Sequence, residues 1–245
     1  MGASGLPIDR SRASPNHGVR VGVGRPDSLV LHYTGMRDEA SAIDWLCDPV
    51  SQVSCHYVVT ETGRVFQLVN ENRRAWHAGR SVWRGMRDMN SASVGIEIVN
   101  GGHEFGLPAY PDVQVEAVAS LCRDIMERHA IPADRVLAHS DIAPSRKRDP
   151  GERFPWQRLA EAGVGLWPVV SRADAADCAI DDREVGRDLI RLGYGLSTTG
   201  APDADAATVL RAFQRRYRPE SIDGVADAET IVRLRAVLRL QGLDA

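Results

Sequence analysis

The stretch 93-SVGIEIV-99 carries a strand pattern interrupted by one carboxylate. Val94, Ile96 and Ile98 alternate with Gly95, Glu97 and Val99, and a period of two marks a β-strand. One face of this strand is wholly apolar, while the other carries a carboxylate among apolar neighbours. Burying a carboxylate without a partner is costly. Glu97 is therefore either an edge-strand residue facing water or a functional acid or base. The strand alone leaves both readings open.

Further strands lie on either side of it. The runs 28-SLVLHY-33, 56-HYVVT-60, 64-RVFQLV-69 and 134-DRVLAHS-140 are rich in Val, Leu and Ile. The glycine-bearing turn 61-ETG-63 joins two of them as a hairpin. Helical patterns separate the strands. In 111-PDVQVEAVASLCRDIMERHA-130 the residues Val115, Val118, Cys122, Ile125 and Met126 form a stripe of period 3.6, with Asp112 as N-cap and Pro132 as the stop. A shorter helix covers 39-EASAIDWLC-47. Strands mixed with helices, one hairpin included, imply an α/β fold: a central mixed β-sheet flanked by helices.

After Trp167-Pro168 the character changes. The polar, alanine-rich stretch 171-SRADAADCAIDD-182 reads as a linker. Beyond it only helical patterns remain, with Val185, Leu189 and Leu192 on the first, Val209, Leu210, Phe213 and Tyr217 on the second, and Ile231, Leu234 and Leu238 on the third. They make a small all-α three-helix unit near the lower limit for independent folding. The division is thus 1–170, linker 171–182, and 183–245.

Composition narrows the function classes. The 245 residues are 43% hydrophobic and 26% charged, enough for a real core. A net charge of −3 offers no polyanion-binding excess, so nucleic acid is excluded as a partner. No run is long enough to span a membrane, and the N-terminal twenty residues lack the apolar core of a signal peptide. Cys47, Cys55, Cys122 and Cys178 contain no C-x-x-C pair and read as free thiols.

The candidate chemistry lies at strand ends. His32 closes an apolar strand. His139 closes another and is followed by a charged turn that holds Lys147 and Asp149. Two imidazoles and one carboxylate make a sound zinc set with a fourth position open. Such a site lowers the pKa of bound water toward about 7 and polarises a carbonyl oxygen. Glu97 is placed to act as general base, and Lys147 to face a developing oxyanion. The chain has seven histidines and no compact H-E-x-x-H helix, so spacing alone supports the site only weakly.

The segments LHYTGM, SCHYVVTETGRVFQLV, AWHAGRSVWRG, NSASVGIEIVN and AHSDIAPSRKRDPGERFPW occur in this order between residues 31 and 156. Together they resemble the zinc-dependent N-acetylmuramoyl-L-alanine amidases of the type-2 family, the group that contains the bacterial AmpD and AmiD enzymes and is related to the peptidoglycan-recognition proteins. The resemblance runs from about residue 15 to about 168. It implies that His32, His139 and Asp149 bind Zn2+, that Glu97 is the catalytic acid–base, and that Lys147 stabilises the transition state. It implies a substrate contact for His77 in the cleft segment; Arg74, suited to stem-peptide carboxylates, Trp76 as cleft wall, and Asn90, which orients a loop, complete the candidate substrate-binding set. Against this, His77 equally suits a packing role and Arg74 a solvated one. His56 reads as a packed strand histidine, and His17, His103 and His129 as surface residues.

At the C-terminus, LIRLGYG, AFQRRY and DGVADAETIVRL resemble the peptidoglycan-binding type-1 domain. Asp227 and Thr230 also read simply as a helix start, so this motif reports fold as readily as ligand contact. The implied partners are peptidoglycan fragments or the sacculus, and the implied reaction is hydrolysis of the amide between N-acetylmuramic acid and L-alanine. A non-catalytic peptidoglycan-recognition module is the alternative, but a complete ligand set with Glu97 and Lys147 favours an enzyme. A phage-type lysin is a third reading; that branch carries a cysteine where Asp149 stands. The absent signal peptide and unpaired cysteines point to the cytoplasm, while the wall-binding module points to the periplasm or cell envelope. Oligomeric state is not legible.

Overall fold

The computed structural model of the chain describes residues 5–171, 182–196 and 204–243. In chain order the elements are β1 (Ile8–Asp9), β2 (His17–Val19), β3 (Ser28–Tyr33), α1 (Glu39–Cys47), β4 (Tyr57–Val59), β5 (Val65–Gln67), β6 (Arg73–Ala75), α2 (Met89–Ala92), β7 (Ser93–Ile98), α3 (Asp112–His129), β8 (Val136–Ala138), α4 (His139–Ile142) and α5 (Trp156–Glu161). Among the described residues three further helices follow: α6 (Asp182–Leu192), α7 (Ala206–Tyr217) and α8 (Ala228–Leu240). The linker expected over 171–182 falls almost wholly outside the described residues, as does Cys178; Cys47, Cys55 and Cys122 are free thiols.

A mixed sheet of order β1-β5-β4-β7-β3-β8 forms the centre. β3 pairs in parallel with β7 and β8, β7 pairs in parallel with β4, and β4–β5 is the expected antiparallel hairpin. β7 lies in the interior of the sheet, so the edge-strand reading of Glu97 falls.

Alternation along the strands sorts the core. Leu29, Leu31, Val94, Ile96, Ile98 and Val136 pack with Val118, Leu121, Cys122 and Ile125 of α3. Each such side chain, fully buried, is worth roughly 1.5–3 kcal/mol. The intervening Val30 and Leu137 join a second cluster, and Val58 and Val99 join a third with Ile43 and Leu46 of α1. Helix α3 begins one residue earlier than expected, on the very residue read as its cap. Pro111 occupies the N-cap position, and Asp112 is the first helical residue. The helix stops before Pro132, because Ala130 turns left-handed and Ile131 N–H closes back on Met126 O at 2.9 Å.

The three C-terminal helices do not stand apart. Leu189, Phe213 and Leu234 share the second cluster with Val30, Trp83, Leu137 and Ile142 of the sheet unit. Arg84 N–H donates to Gly193 O at 2.8 Å, and the Trp83 and Tyr194 rings meet at 5.0 Å. A Cβ on Gly195 would fall 2.1 Å from the Val82 side chain, so only glycine allows this approach. The apolar faces of the three helices and this side of the sheet thus form one continuous core. Among the described residues no helix is long and apolar enough to cross a membrane.

Candidate metal centre and cleft

Three parallel strands end along one edge of the sheet. β3 ends on His32-Tyr33, β7 on Glu97-Ile98, and β8 runs directly into α4, whose first residue is His139. The register sets His32 beside Glu97, and alternation turns both away from α3. Carboxyl ends of parallel strands are where open α/β sheets build sites. Asp149 arrives on the following loop. Its carbonyl accepts from Ser140 N–H at 3.0 Å, and the next carbonyl, of Pro150, accepts from Tyr110 OH at 2.7 Å.

The donor atoms converge. His32 Nδ1 and His139 Nδ1 lie 2.8 Å apart, and Asp149 Oδ2 stands 3.0 Å from the first and 2.9 Å from the second. All three side chains are buried. Burial, with His139 beside it, pushes His32 down to about 4, so its ring is neutral near pH 7. Burial alone would raise Asp149, but the two imidazoles outweigh it and hold the carboxyl well below the usual range. Neutral imidazoles and an ionised carboxylate are the states a metal requires of its ligands.

The outer nitrogens of the two rings are also engaged. His139 Nε2 faces Ala78 O at 3.2 Å, a donation that leaves the Nδ1 lone pair free. His32 Nε2 faces His77 Nδ1 at 3.0 Å. Among the described residues this is the one group of three such donors. Its chemistry fits a divalent ion with an open position, zinc above all.

Glu97, Lys147, His139 and Asp149 line a cleft of about 340 Å3. Glu97 Oε2 is buried with no hydrogen-bond partner among the described residues. Burial first, then the Asp149 charge, push this carboxyl well above the ordinary range; Lys147 acts in the opposite sense. An unpartnered carboxylate oxygen facing a cleft beside three metal donors is placed to exchange a proton with something bound there.

The remaining expected site residues separate. Trp76 and His77 line the cleft. The ring of His77 is held between His32 and Ser93 Oγ, the latter at 3.3 Å. It fits because residue 95 is glycine: a Cβ there would lie 2.4 Å from the imidazole. Asn90 is buried behind the wall, its Oδ1 accepting from the His77 and Ala78 N–H groups at 2.9 and 2.7 Å. Arg74 points to Asp88 at 2.8 Å, not into the cleft. His56 is packed as expected but lies just before β4 rather than in it, its Nδ1 accepting from Gly95 N–H at 2.9 Å. His103 and His129 are not free surface residues: they are half-buried against Glu152 (3.0 Å) and Glu71 (2.6 Å), partners far away in sequence. Tyr33, Met36, Trp45 and Val53 also line the cleft and went unnoticed in the sequence. Trp45 is 48% exposed on an otherwise amphipathic helix, an unusual exposure that only the structure reveals.

Comparison with known proteins follows the same lines. Residues 22–152 match the N-acetylmuramoyl-L-alanine amidase family model, and residues 181–234 match a putative peptidoglycan binding domain. The chain is 39% identical over 235 residues to N-acetylmuramoyl-L-alanine amidase AmiD of Escherichia coli, spanning 88% of this chain and 83% of that protein. It is 37% identical over 163 residues to the 1,6-anhydro-N-acetylmuramyl-L-alanine amidase AmpD of the same organism, covering 60% of this chain and 87% of that one. A structure of Escherichia coli AmiD with the substrate anhydro-N-acetylmuramic acid-L-Ala-D-γ-Glu-L-Lys superimposes with a TM-score of 0.81 at 38% identity, covering 92% of this chain and 93% of that one. AmpDh3 of Pseudomonas aeruginosa in complex with anhydromuramic pentapeptide gives 0.79 at 33% identity, over 96% and 99% of the two chains.

Proposed function

We propose, from the premise that this chain belongs to the N-acetylmuramoyl-L-alanine amidase family, that it hydrolyses its amide at a zinc ion held by His32, His139 and Asp149. The observation that carries this reading is the convergence of their three donor atoms within 3.0 Å of one another, beside a cleft whose wall His139 and Asp149 share with Glu97 and Lys147. When bound, the ion supplies a Lewis acid that polarises the scissile carbonyl and acidifies water.

The chain's own groups do the rest. Glu97 takes a proton at Oε2 from the attacking water and passes it to the leaving nitrogen. The water oxygen bonds to the lactyl carbonyl carbon of N-acetylmuramic acid, and the carbon–nitrogen bond breaks. The lactyl group leaves as a carboxylate and L-alanine as a free amine. The Lys147 ammonium faces the oxygen that becomes negative between these steps. His77 fixes the outer nitrogen of His32, and Asn90 fixes the His77–Ala78 backbone whose carbonyl meets His139. We assign both to holding the ligands, Trp76 to the wall, and Arg74 to the Asp88 pair that braces α2.

The substrates inferred for this chain are peptidoglycan fragments of the kind held in the AmiD and AmpDh3 structures. We divide the chain into an amidase domain over 1–170, a linker over 171–182 and a peptidoglycan-binding domain over 183–245. The docked bundle would present wall material to the cleft in a fixed orientation.

The test offers the purified full chain an anhydro-muropeptide and, separately, intact sacculi, each with and without chelator, with products read by mass spectrometry. Release of stem peptide with a free L-alanine amine, abolished by chelator and restored by zinc, is expected. No release from either substrate, or release indifferent to chelator, overturns the reading.

A further inference from the structure

The short helix α4 carries a proposed metal ligand, yet it is one turn long, and such a helix has almost no stability of its own. Its shape must be imposed. Asp141, its third residue, is 1% exposed. One carboxylate oxygen, Oδ2, accepts from Ala138 N–H at 2.8 Å and so ties the end of β8 to the turn that begins with His139.

The other partners of Asp141 come from the C-terminal bundle. Arg216 Nη1 donates to Oδ2 at 2.6 Å, and Tyr194 OH donates to Oδ1 at 2.8 Å. Arg216 is itself buried, its guanidinium stacked 4.0 Å from the centre of the Trp156 ring. A buried carboxylate keeps its charge and place only while paired and hydrogen-bonded. Here the pairing cation sits 75 residues downstream, in the unit that matches a wall-binding module. The neighbouring Arg215 makes a parallel link: it approaches Glu152 at 3.6 Å, Glu152 binds His103, and His103 binds the cleft residue Tyr33 at 2.9 Å.

We propose that Arg216 and Tyr194 are positioning residues of the metal centre. By holding Asp141 they fix the α4 turn, and through it the direction of His139 Nδ1. The C-terminal bundle is then a working part of the amidase site as well as a wall-binding element. This inference rests on the reading of His139 as a metal ligand.

The test uses the full chain and four variants: Arg216→Leu, Arg216→Lys, Tyr194→Phe, and Val237→Ala as a control. Val237 is fully buried in the same shared cluster and is not among the hydrogen-bond partners of Asp141. Three quantities are read: zinc affinity by competition with a chelating dye, kcat and KM on an anhydro-muropeptide, and the thermal midpoint.

Arg216→Leu is expected to weaken zinc binding about tenfold or more and to lower kcat with KM nearly unchanged. Arg216→Lys should recover most of the affinity. Tyr194→Phe, which removes a single hydroxyl, should weaken zinc binding by a few-fold and carries the test if Arg216→Leu does not fold. Val237→Ala should lower the thermal midpoint and leave zinc affinity at the wild-type value.

Wild-type zinc affinity in folded Arg216→Leu, or in Tyr194→Phe if the first does not fold, overturns the proposal. So does an equal loss in Val237→Ala, which would make the effect one of general stability. A wild-type protein that binds no zinc overturns the metal reading beneath it.

Discussion

His32 and Glu97 stand side by side on adjacent parallel strands, in register, at the carboxyl ends of β3 and β7. One is a proposed metal ligand and the other the proposed acid–base. Their spacing is set by the ladder itself, so no loop has to fold correctly to bring them together. Rigid elements hold catalytic geometry more closely than loops do.

Glu97→Gln keeps the shape of the side chain and removes its proton-accepting oxygen. The variant is expected to retain zinc at wild-type stoichiometry and to lose about 10²–10⁴-fold in kcat. Elemental analysis alongside steady-state cleavage checks both halves. Near-wild-type turnover would remove Glu97 from the mechanism.

Asp149→Ala takes the one carboxylate donor from the triad and leaves two imidazoles. Zinc content after dialysis should fall close to nothing and activity with it, while the sheet unit stays folded. Full occupancy in the purified variant would mean that another residue supplies the third ligand.

Gly95→Ala places a methyl group 2.4 Å from the His77 ring, an overlap that the ring must resolve by moving. His77 then lets go of His32 Nε2. Zinc affinity is expected to drop about tenfold, and the thermal midpoint should fall with it through overpacking. Titration with a chelating dye is the check, and unchanged affinity would show that His77 does not support His32.

Glu71 is not among the residues that line the cleft, and it makes a prediction about acid stability. Burial alone would raise its carboxyl, but hydrogen bonds from Arg128, Tyr57 and His129 outweigh that and bring it from 4.5 down to about 2. The folded state therefore binds the proton less readily than the unfolded one. The stabilisation is complete above about pH 4.5 and is lost as pH falls through about 2. With Arg128 half-exposed to solvent, it amounts to about 2 kcal/mol. Chemical denaturation across that window should show the loss in the wild type and a flatter profile in Glu71→Gln. Parallel profiles would contradict the assignment.

Much of this was legible in the sequence because it is local. The alternation of 93-SVGIEIV-99 sets the faces of β7, and it places Val94, Ile96 and Ile98 in the core beneath α3. The helix over 39–47 and the apolar stripes of the C-terminal helices are equally local. The convergence of His32, His139 and Asp149 depends on parallel pairing across about a hundred residues, which spacing alone supports weakly; five ordered motifs supplied what spacing did not.

What escaped is non-local and polar. The docking of the bundle rests on pairs such as Asp141–Arg216 and Trp83–Tyr194, and nothing near either partner announces the other. His103 and His129 looked like surface residues because their partners, Glu152 and Glu71, are 49 and 58 residues away. The two-stranded ribbon of β2 and β6 is three residues long on each side and carries Arg73 and Arg74, so no apolar period marks it.

Zinc K-edge X-ray absorption on the purified wild-type chain reads the metal's ligands without any substitution. One zinc per chain, with imidazole scattering from two histidines, oxygen in the rest of the shell and no sulfur, is the expected result. A chain that holds no stoichiometric zinc, or a zinc whose shell contains sulfur or lacks paired imidazoles, would contradict the site formed by His32, His139 and Asp149.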